Sequence, residues 1–103
     1  MIRKEFIMTS KQRAYLKSIA MTTDTILHIG KSSATPEFTK AIDEALEARE
    51  LIKISVQKNN IEPVKETAVL VAERSRAELV HVIGRKFVLY RYSNDLKNHI
   101  PLS

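Results

Sequence analysis

The sequence predicts an α/β domain of the α+β sandwich type, in which three helices pack on a four-stranded mixed sheet. Apolar residues recur with helical spacing in three segments, and four short segments are rich in β-branched and aromatic residues. These segments alternate in the order α-β-α-β-α-β-β. Helical crossovers favour parallel neighbouring strands, whereas the closing strands form an antiparallel hairpin, so we expect a sheet of both kinds.

The first helix is expected at residues 10–21. Thr9 and Gln12 have the spacing of a capping box, which satisfies two backbone N–H groups at a helix start. Arg13 and Lys17 are four residues apart and therefore share one edge of this helix. They are interpreted either as an ordinary solvated helix face or as part of a basic track for a polyanion.

The central stretch, residues 28–56, carries the densest chemistry of the chain. An apolar strand at residues 25–29 leads into a basic loop with the sequence Gly-Lys-Ser-Ser at residues 30–33. A helix then begins, with Thr35 as its N-cap and Pro36 at its first position. The next strand, residues 51–56, alternates apolar and polar side chains, as a half-buried strand does.

The loop at residues 30–33 has two features that suit an anion. Backbone N–H groups at the start of the following helix lack intrahelical partners and lie at the positive end of the helix dipole. The Lys31 ammonium adds a positive charge beside them. A phosphate fits this arrangement. The alternative is that Gly30 only permits a tight turn and that Lys31 is a solvated surface lysine.

The third helix is expected from Pro63 through Arg76. Proline suits a helix start, because the N–H that it lacks would be unpaired there. The apolar run at residues 69–71 also fits a strand, so this segment has two interpretations.

A hairpin with a basic tip closes the domain. Its strands are the β-rich runs at residues 79–83 and 87–92, and residues 84–86, Gly-Arg-Lys, form the turn. Arg85 and Lys86 at this tip are candidate contacts for a polyanion, and Arg91 on the second strand is a further one.

The charge distribution favours a polyanionic partner. The 103 residues include 17 basic and 12 acidic side chains, a net charge of +5. Residues 1–34 and 63–103 are net basic, whereas residues 35–62 are net acidic. A nucleic acid should therefore avoid the outer face of the middle helix.

One domain is expected at residues 9–92, with residues 1–8 as a basic N-terminal extension and residues 93–103 as a loosely attached C-terminal tail. The absence of cysteine excludes disulfides and thiolate metal sites. No apolar run has the length of a membrane span, and residues 1–8 lack the apolar centre of a signal peptide. We therefore expect a cytoplasmic protein without a membrane partner.

Three spaced motifs resemble one known family. They are Gly30-Lys31, then EALEARELIKI at residues 44–54, then VxVIGRxxVLYR at residues 80–91. Together they resemble the small bacterial YhbY family of stand-alone CRM (chloroplast RNA splicing and ribosome maturation) domains, over residues 9–92. The resemblance implies a fold similar to the C-terminal domain of the third bacterial translation initiation factor, RNA binding, and association with precursors of the large ribosomal subunit.

The chain departs from this family at two positions. In the family, the loop after the first strand is a G-x-x-G turn that resembles the backbone clamp of KH modules. The corresponding loop here is residues 30–33, in which Ser33 replaces the second glycine. Relatives often end the third helix with glycine, where this chain has Arg76.

Nucleotide hydrolysis is the main enzymatic alternative. The sequence Gly30-Lys31-Ser32 matches the end of a P-loop, and its position between a strand and a helix is suitable. The first glycine of that motif is missing, because Thr25 occupies its position. No apolar strand ends in an aspartate suited to magnesium, so no cofactor or small-molecule substrate is expected.

The histidines and tyrosines have simpler interpretations than a reactive site. His28, His81 and His99 show no metal-ligand spacing. Tyr90 and Tyr92 lie on one side of a strand and could stack on bases, but packing in the core is the alternative interpretation.

The sequence therefore predicts a non-enzymatic, monomeric RNA-binding domain that binds ribosomal RNA in large-subunit precursors. The alternative is a protein-interaction module that docks a ribosomal protein or an assembly factor through apolar sheet surface. Steep weakening of binding by salt would indicate contacts to RNA phosphates. The predicted RNA contacts are Gly30, Lys31, Ser32, Ser33, Arg13, Lys17, Arg85, Lys86 and Arg91.

Overall fold

A computed structural model of the chain describes residues 8–30, 35–58, 60, 62–95 and 99–102. The elements are the helices α1 (Ser10–Ala20), α2 (Pro36–Arg49) and α3 (Val64–Ser75), and the strands β1 (Thr25–Ile29), β2 (Leu51–Val56), β3 (Glu78–Ile83) and β4 (Lys86–Tyr90). The predicted sandwich of three helices on a four-stranded mixed sheet is confirmed. Within the described ranges, no helix is long and apolar enough to span a lipid bilayer.

The sheet has the strand order β1-β2-β4-β3. β1 and β2 are parallel, as expected for strands joined by a helix. β4 lies antiparallel between β2 and β3, which leaves β1 and β3 as the sheet edges. Since α3 carries the chain to the far edge, β2 and β3 run in the same direction without contact.

The two faces of the sheet are covered unequally. Helices α2 and α3 pack on one face and bury alternate residues of β2 and β4. The largest buried side chains there are Ile29, Ile42, Leu46, Ile52, Ile54, Phe87 and Leu89. Helix α1 covers the other face with Leu16 and Ala20 over a smaller cluster. Beyond α1, side chains of this second face such as Lys86 and Ile83 are exposed. We call this uncovered part the open face.

Local sequence signals account for the starts of the first two helices. Thr9 and Gln12 form the predicted capping box, with hydrogen bonds of 3.0 and 3.1 Å. Thr35 caps α2 by accepting the N–H of Phe38 at 3.1 Å, and Pro36 occupies the first position of the helix.

Helix α3 includes residues 69–71, so the helical interpretation of this run is confirmed. The helix ends at Ser75, and the next residue, Arg76, has φ 57° and ψ 37°, the left-handed conformation. The N–H of Ala77 donates to the carbonyl of Ala72 at 2.9 Å, and the N–H of Arg76 donates to that of Glu73 at 3.2 Å, forming a Schellman motif. Arg76 thus has the conformation that glycine favours.

One buried carboxylate holds the chain after β4. Glu50 has an exposure of 0%, and its side chain accepts the N–H of Ser93 at 2.8 Å and that of Ile100 at 2.9 Å. His99 Nδ1 also lies 2.5 Å from this carboxylate. Burial alone would raise the pKa of Glu50, but these hydrogen bonds outweigh burial and lower it. The tail therefore has a polar anchor in addition to its apolar residues.

Arg76→Gly should stabilise the protein. The left-handed conformation costs a residue other than glycine about 1–2 kcal/mol, and the greater entropy of glycine in the unfolded chain offsets part of the gain. We expect the free energy of unfolding, measured by urea denaturation, to rise by about 0.5–1 kcal/mol. Arg76→Ala is the control, because it removes the charge but keeps the strained conformation. Equal stabilisation by both variants would contradict this explanation.

Glu50→Gln should destabilise the protein in a pH-dependent way. Because the pKa of Glu50 is lowered on folding, its contribution is complete above the ordinary value of 4.5 and is lost as the pH falls through the folded-state pKa. At neutral pH we expect a loss of about 1–3 kcal/mol, since a neutral amide accepts these hydrogen bonds poorly. The deficit should shrink in denaturation experiments at lower pH.

Glu44→Gln is the matched control for this experiment. Glu44 lies on the exposed side of α2, so its replacement should change stability little at any pH. A deficit of Glu50→Gln that does not depend on pH would show that packing, rather than the carboxylate charge, is responsible.

Candidate nucleic-acid interface

The carboxyl ends of the parallel strands β1 and β2 meet at one end of the sheet. β1 is followed by Gly30, and β2 by a turn that includes Lys58 and Asn60. The Asn60 side chain, which is 3% exposed, donates to the carbonyl of Gly30 at 3.1 Å. The N–H of Gln57 donates to the carbonyl of Ile29 at 2.8 Å. These hydrogen bonds fix the start of the predicted anion loop against the turn after β2.

Arg85 joins the hairpin tip to the same end. Its Nε donates to the carbonyl of Val56 at 3.0 Å, and its Nη2 donates to the carbonyls of Gln57 at 2.6 Å and Asn60 at 3.4 Å. Its own carbonyl accepts the N–H of Val56 at 2.7 Å. The basic tip and the loop after β1 are therefore neighbours, and the Arg85 guanidinium stabilises the backbone between them.

Gly30 has open space around its Cα. Its φ is not positive, and a Cβ built there would meet no described residue within 4 Å, apart from its neighbours in the chain. The fold thus permits a side chain at this position, whereas Gly84, with φ 57°, has the left-handed conformation of its hairpin turn. A missing side chain at Gly30 gives a ligand room to approach the backbone. Lys31, Ser32 and Ser33 lie outside the described residues.

A row of side chains crosses the open face next to this end. His28, Ser55, Lys86 and Ile83 are register partners on the successive strands β1, β2, β4 and β3. His28 and Lys86 are exposed, and Ile83 is 59% exposed. The Lys86 ammonium makes no hydrogen bond or ion pair with the described residues, so its charge is available to a ligand.

Lys17 is the predicted cation on the α1 side of the open face. Its side chain is exposed, and its ammonium likewise makes no hydrogen bond or ion pair within the described part of the chain. Lys17 and His81 of β3 line one groove between α1 and the sheet. Partial burial, and secondly the charge of Lys17, lower the pKa of His81. Both effects favour the neutral form of the imidazole.

Arg13 lies on the same edge of α1 but contacts the sheet. Its Nη1 donates to the carbonyl of Leu79 and, at 3.0 Å, to that of Val80. The pairing of β3 with β4 is irregular between Leu79 and His81. Backbone groups displaced by such an irregularity need other partners. The Arg13 guanidinium thus stabilises an edge strand.

Arg91 follows β4, at the end of the strand opposite to the hairpin tip. Its Nη1 lies 2.7 Å from Asp43 Oδ1 and donates to the carbonyl of Ser75 at 2.7 Å. Its Nη2 lies 3.3 Å from Glu47 Oε2. The two carboxylates of α2 neutralise this guanidinium on the covered side of the sheet. The fold therefore does not bring Arg91 to the Gly30 end.

The two tyrosines near the end of β4 have different environments. Tyr90 is 4% exposed, which confirms its interpretation as a core residue. Burial raises the pKa of Tyr90, with smaller contributions from Glu50 and Tyr92. Tyr92 lies beyond the strand, is 59% exposed and stacks on His99 with ring centroids 4.2 Å apart.

Three residues of this region were not among the predicted contacts. Lys58 is exposed in the turn that Arg85 holds, and His28 is exposed on β1. The sequence could have indicated Lys58. Parallel strands joined by a helix have their carboxyl ends at one edge of the sheet, so the loops that follow them are neighbours. The position of Lys53 had no such signal in the sequence. Its Nζ donates to the carbonyl of Ala20 at 2.9 Å, a contact that depends on where α1 packs.

The acidic side chains Asp43, Glu44 and Glu47 lie on α2, which covers the opposite face of the sheet. Among the described residues, no group of three or more His, Asp or Glu side chains could hold a metal ion. The open face therefore offers positive charge and hydrogen-bond donors.

The chain is similar to proteins named for RNA binding. It is 41% identical over 91 residues to "Probable RNA-binding protein YqeI" from Bacillus subtilis (strain 168), covering 88% of this chain and 95% of that protein. An "RNA-binding protein" from Haemophilus influenzae is 29% identical over 94 residues, covering 91% of this chain and 95% of that protein. The solution structure of the hypothetical protein SAV1595 from Staphylococcus aureus has a TM-score of 0.79 and 43% identity, covering 94% of this chain and 100% of that one.

A family model described as the CRS1 / YhbY (CRM) domain matches residues 8–91. This range includes every helix and strand described above. It also includes the three motifs on which the resemblance was based. The chain belongs to the CRS1 / YhbY (CRM) domain family.

Proposed function

We propose that the chain is an RNA-binding protein without catalytic activity, which acts as a monomer in the cytoplasm and binds ribosomal RNA in precursors of the large subunit. RNA binding is supported by the names of the relatives from B. subtilis and H. influenzae. The ribosomal target rests on the family resemblance of the three motifs.

The observation that carries RNA binding is the position of the solvated cations. Lys17, Lys58 and Lys86 are exposed around the open face and its Gly30 end, and their ammonium groups make no hydrogen bond or ion pair within the described residues. A compact ammonium group on a flexible stem suits phosphate contacts, which position a nucleic acid without specifying its sequence. The acidic helix α2 lies on the opposite side of the sheet.

In this proposal, the RNA backbone passes the Gly30 end of the sheet. A phosphate approaches the open backbone at Gly30, and Lys31, Ser32 and Ser33 supply the next donors along the chain. Lys58 and Lys86 contribute charge from the adjacent turn and hairpin. Arg85 supports the same backbone from within the protein.

A second candidate, a docking surface for a ribosomal protein or an assembly factor, is favoured by one observation. Met21 and Ile83 expose apolar side chains beside the open face, by 81% and 59%. The response of binding to salt distinguishes the two candidates, because release of counterions accompanies binding to phosphates and not to an apolar partner.

RNA affinity should fall steeply with salt. If about three to five phosphates are neutralised, the log-log slope of affinity against salt concentration should be roughly −2 to −5. Lys17→Ala and Lys86→Ala should each reduce the magnitude of this slope by about 1. Each should also weaken the binding of unrelated RNAs by similar factors, measured by fluorescence anisotropy. Arg74→Ala, which removes one charge from α3 on the covered side, is the control. A flat salt response would favour the protein-docking candidate.

Gly30→Ala should weaken RNA binding and leave stability unchanged. The added methyl group meets open space in the free protein but would lie between the backbone and an approaching phosphate. We expect a loss of affinity of several-fold, or about 1 kcal/mol, with an unchanged melting temperature. Gly84→Ala is the matched control. It should lower the melting temperature, since its φ of 57° is strained for alanine, and leave the RNA affinity of the folded protein unchanged. An unchanged affinity of Gly30→Ala would exclude close backbone contact at this position.

A further inference from the structure

A groove of about 560 Å³ lies between α1 and the open face of the sheet. Val88, which is 1% exposed on the central strand β4, lies at its base. Ala14 and Met21 line it from α1, and His81 and Ile83 line it from β3. The groove therefore has an apolar lining on both sides, with one imidazole between them.

Two apolar side chains of this groove are unusually exposed. Met21 at the end of α1 is 81% exposed, and Ile83 on the edge strand is 59% exposed. Single exposed apolar residues are normal on protein surfaces, but these two line the same depression as Val88. Together the three side chains give the groove an apolar lining against which a planar group could lie.

The charge around the groove is positive. Lys17 and Lys53 line it, and among the described residues no carboxylate does. The Lys53 ammonium donates to the carbonyl of Ala20 at 2.9 Å and to that of Thr23 at 3.4 Å, whereas the Lys17 ammonium is solvated. Neutral His81 can donate through one ring nitrogen and accept through the other. The groove thus combines an apolar surface, a donor-acceptor pair and one available cation.

We propose that this groove binds a single unpaired nucleotide of the RNA, with the base against Met21, Ile83 and the His81 ring and the adjoining phosphate at Lys17. This inference rests on the proposed RNA binding and adds the form of RNA that is recognised. Unpaired bases can stack on aromatic rings such as imidazole and form hydrogen bonds through their exposed edges. Bases of a duplex are stacked internally and cannot enter a groove of this size.

Continuity with the Gly30 end favours RNA over an acidic protein segment. The row formed by His28, Ser55, Lys86 and Ile83 connects the carboxyl end of β1 with the rim of the groove. A strand of RNA along this row would place phosphates at Lys86 and Lys17 and one base in the groove. An acidic peptide would match the charge but would not account for the open backbone at Gly30, where the proposed function places a phosphate.

The test compares base-containing and base-free ligands on the full chain. The probes are an unpaired RNA octamer and an abasic ribose-phosphate octamer of the same charge. The double variant Met21→Ala with Ile83→Ala should bind the RNA octamer about tenfold more weakly, as expected for loss of one base-stacking contact, and the abasic octamer as the wild type does. Val69→Ala is the control, since Val69 is an exposed apolar residue of α3 on the covered side, at 39% exposure.

A second measurement uses the histidine ring signals in NMR spectra of the wild-type protein. Addition of the RNA octamer should shift the ring protons of His81 in the groove. The ring protons of His99, which contacts Glu50 at the other end of β2, should stay unchanged. The abasic octamer should leave the His81 signals much closer to their free positions.

Two results would overturn the inference. The first would leave the proposed RNA binding intact, and the second would contradict it as well. If the wild type binds RNA, but the double variant binds equally well and His81 does not shift, the groove does not hold a base and RNA binding itself stands. The groove would then suit an acidic protein segment. If the wild type binds neither octamer nor a matched RNA duplex, the proposed RNA binding fails together with the inference.

Discussion

The guanidinium of Arg85 is the contact on which the arrangement of the candidate interface depends. The turn after β2 leaves the carbonyls of Val56, Gln57 and Asn60 close together, and the planar guanidinium can donate to all three from one side chain. Asn60, positioned in this way, binds the carbonyl of Gly30. Three parts of the chain that are distant in sequence thus share one set of hydrogen bonds. A lysine, with a single nitrogen, could not maintain this geometry.

Three arginines and two lysines have different roles in this protein, whereas Lys53 binds backbone carbonyls as these arginines do. The guanidinium groups of Arg13, Arg85 and Arg91 bind backbone carbonyls or carboxylates of the protein itself. The lysines of the open face, Lys17 and Lys86, remain solvated. A rigid fork with several donors suits fixed partners within a fold, whereas a flexible and strongly hydrated ammonium suits a partner that varies in shape. Net charge alone therefore overstates the number of cations available to a ligand.

Each feature that was predicted correctly from the sequence depends on residues that are close together in the chain. The capping box of Thr9 and Gln12, the start of α2 at Pro36 and the alternation along β2 each depend on local backbone geometry. The functions of the arginines were not predictable in this way. Arg13 contacts a carbonyl 66 positions along the chain, and Arg91 one that is 48 positions away. Such contacts depend on the packing of whole elements, including the position of β4 in the centre of the sheet.

The contact of Arg13 with β3 also bears on self-association. An edge strand displays backbone groups that can pair with a strand of a second molecule and extend the sheet. Near the start of β3, the irregular pairing at Leu79 distorts the edge, and the guanidinium of Arg13 already binds the carbonyls of Leu79 and Val80. A second copy that paired there would have to displace a charged, partly buried group and leave it without its acceptors. The same arginine that completes the α1 contact with the sheet therefore opposes growth of that sheet from one molecule to the next.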